Sequence, residues 1–219
     1  MIYIVVLNWN GAIDTINCVK SLMNLNYDDY KIIVVDNCST DNSYDSIKEN
    51  LNALYITGKS FIEVKYEDRS KYQTFENDKI ILIQSPKNNG YASGNNIGIE
   101  LALNQEDMKY VWVLNNDTEV DKEALTHLIS KCDSDKNIGI CGSRLVYFTD
   151  REMQQGLGGV HNRWLCTTKN YEMGRLVSKK YDDEVISNNI DYIIGASMFF
   201  SRECLETVGL MNEEYFLYY

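Results

Sequence analysis

The chain alternates between short, uninterrupted apolar runs and segments whose apolar residues recur at helical spacing. Three apolar runs predict buried strands over residues 2–7, 31–35 and 110–113. Strands that are apolar throughout are typical of a parallel sheet that is covered on both faces. Each run ends in polar residues: the first at Asn8, the second at Asp36 and the third at an Asn-Asn-Asp sequence.

Between and after these runs, the pattern predicts helices and two further strands. The predicted helices cover residues 13–25, a segment that follows the N-cap candidates 39–41, residues 97–103 after the glycine-rich loop 88–96, and a segment after Asp121. The further strands are predicted over residues 80–83 and 138–142, and residues 55–77 are predicted to be an insertion with a short hairpin of its own. This order predicts an α/β fold with a Rossmann-like, mostly parallel central sheet flanked by helices.

Composition and charge narrow the class of protein. The 219 residues, 44% of them hydrophobic, suffice for one substantial domain. The net charge of −11 argues against nucleic acid as a partner, because phosphate backbones are bound by Lys and Arg. None of the six cysteines lies in a C-x-x-C pair, so we expect reduced thiols rather than zinc or disulfides. No apolar run is long enough to span a bilayer and no secretory pattern follows Met1, which predicts a cytoplasmic protein.

The polar strand ends are the candidate site. In open α/β sheets, ligands bind outside the carboxyl ends of the strands. A carboxylate there can hold a divalent cation, and the cation can hold a diphosphate. Asn and Asp also make ordinary turns. Three such endings in a helix-separated series favour a binding edge over three unrelated turns.

Several segments, taken in order, resemble the family 2 glycosyltransferases, which are inverting enzymes of the GT-A fold. The segments are Val5–Gly11, Val34–Ser43, Asn88–Gly98, Val113–Val120, Gly195–Phe200 and Val208–Tyr219. Within the family, the chain is most similar to the rhamnosyltransferase-type members that build bacterial surface polysaccharides. The resemblance implies a nucleotide-binding part over about residues 1–120 and an acceptor-side part over about 121–219.

The resemblance implies a set of nucleotide-binding residues. The first strand end, with Leu7, Asn8 and Asn10, corresponds to the wall around the nucleotide base. Asp36 corresponds to the carboxylate that accepts a hydrogen bond from the pyrimidine ring N–H, for which a carboxylate is a strong acceptor. The remaining nucleotide-side residues that it implies are Asn89, Gly94, Asn95, Asn115 and Asn116.

The Asn-Asn-Asp sequence occupies the position of the family's DxD motif, with Asn115 in place of the first Asp. Asn115 still offers a donor and an acceptor to a ribose hydroxyl. Asp117 keeps the carboxylate and is the implied metal ligand. The implied cofactor is Mg²⁺ or Mn²⁺, a hard cation that prefers oxygen ligands and acts on the leaving diphosphate as a Lewis acid.

The resemblance gives no catalytic base within the chain. Family members follow the aromatic stretch that here is 215–219 with a Glu-Asp pair, and its Asp is the usual base. We therefore expect the base just beyond Tyr219, an acceptor-side part that is incomplete at its C-terminus, and low activity from these 219 residues. Glu213 is expected to orient the acceptor loop. His161 is either an acceptor-side residue or part of a surface loop.

The expected function is transfer of a sugar, with inversion, from dTDP-rhamnose or a UDP-sugar to a hydroxyl. The acceptor is expected to be a saccharide or lipid-linked saccharide, with peripheral association of the full-length enzyme at the inner face of the plasma membrane. No amphipathic basic helix in the sequence supports that association. The exposed aromatic stretch 215–219 is expected to be disordered or covered in a homodimer.

Two alternatives stay open. A non-catalytic module that binds nucleotide sugars would also explain the chain if its base is absent. A dinucleotide-dependent enzyme is disfavoured, because the glycine spacing does not match G-x-G-x-x-G.

Overall fold

The structure, a computed structural model, describes residues 1–55, 61–72 and 78–217. In chain order, the strands are β1 (Ile2–Asn8), β2 (Tyr30–Asp36), β3 (Phe61–Val64), β4 (Ile80–Gln84), β5 (Tyr110–Asn115), β6 (Ile140–Gly142), β7 (Leu145–Val146), β8 (Gln154–Gly156), β9 (Gly159–Asn162), β10 (Thr167–Asn170) and β11 (Ser197–Ser201). The helices are α1 (Ala12–Leu22), α2 (Ser43–Tyr55), α3 (Tyr91–Leu103), α4 (Ala124–Ser134), α5 (Asp183–Ser187) and α6 (Arg202–Val208), with a 3₁₀ helix over Tyr66–Lys71.

Seven strands form the main sheet in the order β3-β4-β2-β1-β5-β11-β6. The first five pair in parallel, and β11 is antiparallel to both of its neighbours. The predicted α/β fold with a mostly parallel central sheet is therefore confirmed. The antiparallel strand β11 was not among the predicted elements.

The sheet is buried on both faces, which is why its strands read as continuous apolar runs. Along β1, Ile2, Ile4 and Val6 pack on one face with α1, α2 and α4. Tyr3 and Val5, which alternate with them, pack on the other face with α3 and α6. No helix among the described residues is long and apolar enough to cross a membrane.

Helix α3 begins earlier than the sequence predicts. Residues 91–96 were predicted to belong to a glycine-rich loop, but they form the first turns of the helix. Gly and Asn are poor helix formers, and tertiary packing overrides that preference here. A Cβ at Gly94 would lie 2.5 Å from Leu7 Cδ1, and one at Gly98 would lie 2.5 Å from Val5 Cγ1. The two glycines therefore let α3 lie close against β1.

Gly98→Ala is expected to lower the free energy of unfolding by about 1–3 kcal/mol, because the added methyl group overpacks the core against Val5. In an open helix, the same change would stabilise by up to about 1 kcal/mol. Urea denaturation measures the difference. Gly195→Ala is the matched control, since its Cβ would meet only the Tyr91 hydroxyl at 3.8 Å. A stabilised Gly98→Ala protein would contradict this packing.

Residues 143–196 form two small two-stranded sheets and the short helix α5, beside the main sheet. Strands β7 and β8 pair in one sheet, and β9 and β10 form the second as a hairpin. The stretch around His161, which was considered a loop, is strand β9. Its two glycines obscure the strand pattern, and Gly159 is needed because a Cβ there would overlap the ring of Tyr192.

The predicted insertion over residues 55–77 is only partly described. Residues 56–60 and 73–77 lie outside the described residues. The described part contains β3, which pairs in parallel with β4 at the edge of the main sheet, followed by the 3₁₀ helix. The predicted hairpin is therefore wrong for this part, because its strand joins the central sheet instead.

Candidate functional site

The polar strand ends meet at one edge of the sheet. The pairing register aligns Asn8 of β1 with Asp36 of β2, and Leu7 of β1 with Asn115 of β5. Because these strands are parallel, their carboxyl ends lie side by side. The edge that the sequence predicted as a binding site is thus assembled from three loops, those after β1, β2 and β5.

Asp36 is fully buried at this edge, with 0% of its surface exposed. Its Oδ1 accepts hydrogen bonds from Asn8 Nδ2 at 2.7 Å and Ser39 Oγ at 2.6 Å. Its Oδ2 accepts from the Ser39 N–H at 3.1 Å and Gln84 Nε2 at 2.9 Å. A carboxylate has about four acceptor positions, so protein donors fill all of them. An added ligand N–H must displace one of these donors, and Gln84 is the exposed one.

Asn8 joins the loops after β1 and β2. Its Nδ2 donates to Asp36 and to Ser39 Oγ, the latter at 3.0 Å. Its Oδ1 accepts from Thr15 Oγ1 at 2.8 Å and from the Gly11 N–H at 3.2 Å. Asn8 is buried, so its amide fixes the shape of the edge from inside.

Asn10 joins the same two loops at the surface. Its backbone φ of 53° lies in the left-handed region, which Asn tolerates better than most residues. Its Oδ1 accepts from the Thr40 N–H at 2.8 Å, and its Nδ2 donates to Thr40 Oγ1 at 3.1 Å. This holds the loop after β2 against the loop after β1.

The three residues after β5 lie in different surroundings. Asn116 Nδ2 donates to Thr15 Oγ1 at 3.0 Å and to the Gly11 carbonyl at 3.3 Å, so Asn116 anchors the loop to the start of α1. No described residue makes a hydrogen bond or ion pair to the side chains of Asn115 or Asp117. Asp117 is exposed, so its carboxylate is available to a ligand.

The charge of Asp117 also affects the pKa of a buried thiol. Burial raises the pKa of the Cys18 thiol to about 12, and the negative charge of Asp117 adds to the increase. The Cys18 thiol lies 3.7 Å from Thr118 Oγ1. The loop that carries Asp117 is thus packed on α1, and its carboxylate projects from an ordered support.

A divalent cation fits this edge as the partner of a bound diphosphate. Among the described residues, no group of three or more His, Cys, Asp and Glu side chains is placed to hold a metal ion. Asp117 supplies one free carboxylate, and Asn115 an amide oxygen. Mg²⁺ and similar ions are commonly held by one or two carboxylates together with substrate phosphates and water. The donor set suits that mode of binding and does not suit a permanently bound structural metal.

The N-terminus of α3 is the fourth component of the edge. Asn89 is exposed just before the helix, whereas Gly94 faces the side chains of Leu7 and Asn37. Asn95 is 0% exposed, and its Nδ2 donates to the Tyr91 carbonyl at 3.0 Å. Its Oδ1 is buried without a partner among the described residues. Gly94 and Asn95 therefore support the edge from within, and Asn89 is the member of this group that reaches solvent.

Asn96, which the sequence reasoning did not select, ties α3 to the segment that carries Glu213. Its Oδ1 accepts from the Met211 N–H at 3.0 Å, and its Nδ2 donates to the Met211 carbonyl at 2.9 Å and to Glu213 Oε1 at 2.8 Å. The Tyr91 N–H also donates to the Phe216 carbonyl at 2.8 Å. These contacts place Glu213 beside the N-terminal half of α3.

His161 lies apart from this cluster, in the β9–β10 hairpin. Its backbone N–H donates to Asp191 Oδ2 at 2.8 Å, and its Nδ1 is buried without a partner among the described residues. The β7–β8 connection, rather than this hairpin, contacts the loop after β5. Arg151 Nη2 pairs with Glu119 Oε2 at 2.7 Å, two residues beyond Asp117.

Sequence reasoning also missed Gln84, and here a signal was present. Gln84 ends the apolar run of β4 as Asn8 and Asp36 end theirs, and it is aligned with Asp36. Asn96 gave no comparable signal, because its partners are more than 100 residues away in the chain.

Comparison with known proteins reveals similarity along most of the chain. A sequence profile of the family described as Glycosyl transferase family 2 matches residues 3–209. The chain is similar to the low-salt glycan biosynthesis hexosyltransferase Agl10 of Haloferax volcanii, with 29% identity over 196 residues. That match covers 88% of this chain and 59% of Agl10.

Two solved structures share the fold. The mannosyltransferase PcManGT from Pyrobaculum calidifontis, in complex with GDP-Man and Mn²⁺, superposes with a TM-score of 0.59 at 13% identity, covering 97% of this chain and 48% of that chain. S. aureus TarS 1-349 in complex with UDP gives a TM-score of 0.54 at 13% identity, covering 97% and 50%. The chain thus spans about half to three-fifths of the length of these proteins.

Proposed function

We propose that this chain, which belongs to glycosyl transferase family 2, forms the donor-binding domain of an enzyme that transfers a hexosyl group from a nucleoside-diphosphate sugar to a hydroxyl. The observation that carries the proposal is the free carboxylate of Asp117 at the edge where β1, β2 and β5 end. Similarity to a hexosyltransferase and to two nucleotide-bound glycosyltransferase structures supports it.

In this proposal, the residues of the edge have different roles. Asp117 would hold a divalent cation, which when bound would supply Lewis-acid chemistry to the leaving nucleoside diphosphate. Asn115 would face the ribose hydroxyls. Asp36 receives the nucleotide base, and Asn89 lies on the nucleotide side. Asn8, Asn10 and Asn116 keep the loops in place, as their hydrogen bonds within the protein indicate.

The choice of base rests on Asp36. A carboxylate accepts a hydrogen bond from the imide N–H of uracil or thymine. A hydrogen bond with a charged partner contributes about 1.5–3 kcal/mol. We propose that a pyrimidine base takes the place of Gln84, whose amide donates to Asp36 at 2.9 Å. The related folds hold both GDP-Man and UDP, so the fold alone leaves the base open.

We propose that Glu213 orients the segment on the acceptor side. The hydrogen bond that its Oε1 accepts from Asn96 Nδ2 at 2.8 Å supports this role, because it ties that segment to α3. We propose an inverting transfer onto a cell-surface glycan, with dTDP-rhamnose among the donors to be tested. The catalytic base stays a prediction of the sequence resemblance.

The test is a panel of nucleotide sugars in thermal-shift measurements, with Mn²⁺ or with a chelator. UDP-linked, dTDP-linked and GDP-linked hexoses and dTDP-rhamnose form the panel. A ligand at 100 times its Kd adds about 2.7 kcal/mol, which for a domain of this size raises Tm by roughly 5–10 °C. We expect such a shift for a pyrimidine nucleotide sugar, and only with Mn²⁺.

Two other outcomes are informative. If no nucleotide sugar raises Tm with Mn²⁺ present, the proposed donor site is wrong. If a donor binds but no acceptor hydroxyl releases nucleoside diphosphate from it, the non-catalytic module is the better description. Release of nucleoside diphosphate is measured on the same protein with saccharide acceptors.

A further inference from the structure

The tip of the β9–β10 hairpin presents two large apolar side chains to solvent. Trp164 is 96% exposed and Leu165 is 71% exposed. Trp164 is the most exposed of the large hydrophobic residues in the described part of the chain. Single exposed apolar residues are common on protein surfaces, but adjacent Trp and Leu side chains at the end of a projecting hairpin call for an explanation.

The tip is an ordered turn. Asn162 Oδ1 accepts hydrogen bonds from the backbone N–H groups of both Trp164 and Leu165, each at 3.0 Å. The strands close below it where Asn162 pairs with Thr167. Cys166, with φ of 50°, returns the chain to β10. The exposure of the two side chains therefore follows from a turn whose backbone is fixed before any partner binds.

The hairpin itself carries positive charge. Residues 159–170 contain Arg163 and Lys169 and no Asp or Glu, in a protein of net charge −11. Asp191 is the acidic side chain that contacts the hairpin, through the His161 N–H. Within residues 1–55, 61–72 and 78–217, Arg163, Lys169 and Lys180 form no ion pair. Arg163 directly precedes Trp164, so positive charge and apolar surface occur together at the tip.

We propose that the β9–β10 hairpin is an anchor that inserts Trp164 and Leu165 into the headgroup region of an anionic lipid bilayer. Trp is enriched at the membrane interface, where its ring is apolar and its N–H stays hydrated. Lys and Arg are attracted to an anionic lipid surface, and the attraction falls off within a Debye length. Because the protein as a whole is acidic, an anionic surface repels most of it, which leaves the hairpin with Arg163 and Lys169 as the part that approaches.

A protein partner fits these observations less well. Stable protein interfaces bury about 800 Å² on each partner over a continuous patch, whereas this tip offers two adjacent side chains on a narrow turn. Interfacial insertion needs only that the apolar side chains reach a few ångströms into the lipid.

The experiment is cosedimentation of the whole chain with lipid vesicles. Vesicles of phosphatidylcholine alone are compared with vesicles that contain about 30% phosphatidylglycerol, an anionic lipid. We expect binding to the anionic vesicles, and weakening as the salt concentration rises from about 0.1 M to about 0.5 M, because salt screens the charges. Trp164→Ala combined with Leu165→Ser is expected to weaken this binding at least about tenfold.

Matched controls distinguish an effect of the hairpin tip from the effect of removing any exposed apolar side chain and from misfolding. Val208→Ser removes an apolar side chain that is 79% exposed on α6, and it is expected to bind vesicles like the unchanged protein. Arg163→Glu is expected to weaken binding to anionic vesicles without changing binding to neutral ones. Thermal unfolding and nucleoside-diphosphate binding of each variant are measured in parallel, so that failure of the anchor and failure of the donor site can be distinguished.

Three outcomes would overturn the proposal. The first is absence of binding to anionic vesicles by the unchanged protein. The second is equal binding by the double variant and the unchanged protein. The third is a dimer in solution that the double variant disrupts, without vesicle binding, which would mean that the tip packs on a second copy of the chain.

Discussion

Asp117→Ala is expected to weaken Mn²⁺-dependent binding of a nucleoside diphosphate by about a hundredfold or more, while Tm changes little. The carboxylate of Asp117 is exposed and has no partner among the described residues, so its removal leaves no donor unsatisfied in the protein. In the proposed complex, it is the one carboxylate of its loop that holds the cation to the diphosphate, a charge interaction worth several kcal/mol. Calorimetric titration with a nucleoside diphosphate, once with Mn²⁺ and once with a chelator, measures the affinity that depends on the cation and the affinity that does not.

Glu119→Gln is the matched control for this prediction. Glu119 lies two residues along the same loop, is also exposed, and pairs with Arg151 at 2.7 Å. Its substitution removes the same charge from the loop and leaves Asp117 in place. An equal loss of Mn²⁺-dependent affinity in both variants would show that the cation senses the overall charge of the loop. Unchanged affinity in Asp117→Ala would refute the assignment of the metal ligand.

The central sheet could be predicted because each of its strands is recognisable from its own run of apolar residues. A strand that is covered by helices on both faces is apolar along nearly its whole length, and β1, β2, β4 and β5 show this apart from Lys31 and the polar residue that ends each strand. The start of α3 could not be predicted, since Gly94 and Gly98 are chosen by contact with β1 rather than by helix propensity. Strand β11 was missed for a related reason, because its place between β5 and β6 depends on pairing with distant residues.

The sequence predicted where in the sheet the candidate site lies, but not the hydrogen bonds among its residues. The polar endings of three parallel strands indicated that these side chains share one edge of the sheet, as the pairing register has it. They did not indicate that Asn8 and Asp36 are buried and saturated with hydrogen bonds, because burial of a strand end depends on the loops that cover it. The β9–β10 hairpin that carries Trp164 could not be predicted, because Gly158 and Gly159 obscure the strand pattern that leads into it.

The second large expected effect is a loss of stability, and it follows from the hydrogen bonds of Asp36. Asp36→Ala is expected to lower the free energy of unfolding by at least about 3 kcal/mol, since each buried donor that loses its acceptor costs about 1–3 kcal/mol. Asn8 Nδ2, Ser39 Oγ and the Ser39 N–H are the buried or partly buried donors concerned. Urea denaturation provides the measurement. Asp41→Ala is the control, because the Asp41 carboxylate is exposed and accepts from the Ser43 N–H at 2.9 Å, so its removal is expected to cost only about 0.5–1.5 kcal/mol.

A stability loss of this size means that Asp36→Ala cannot by itself test recognition of the base. Gln84→Ala can, because it removes the exposed donor and leaves one acceptor position of Asp36 open while the buried donors stay in place. If the base replaces Gln84, this variant should bind UDP several-fold more tightly, since the ligand no longer displaces an existing hydrogen bond, and ADP as before, since adenine has no imide N–H to donate. Equal changes for UDP and ADP, together with the loss of stability in Asp36→Ala, would leave Asp36 a structural residue that fixes the edge without reading the base.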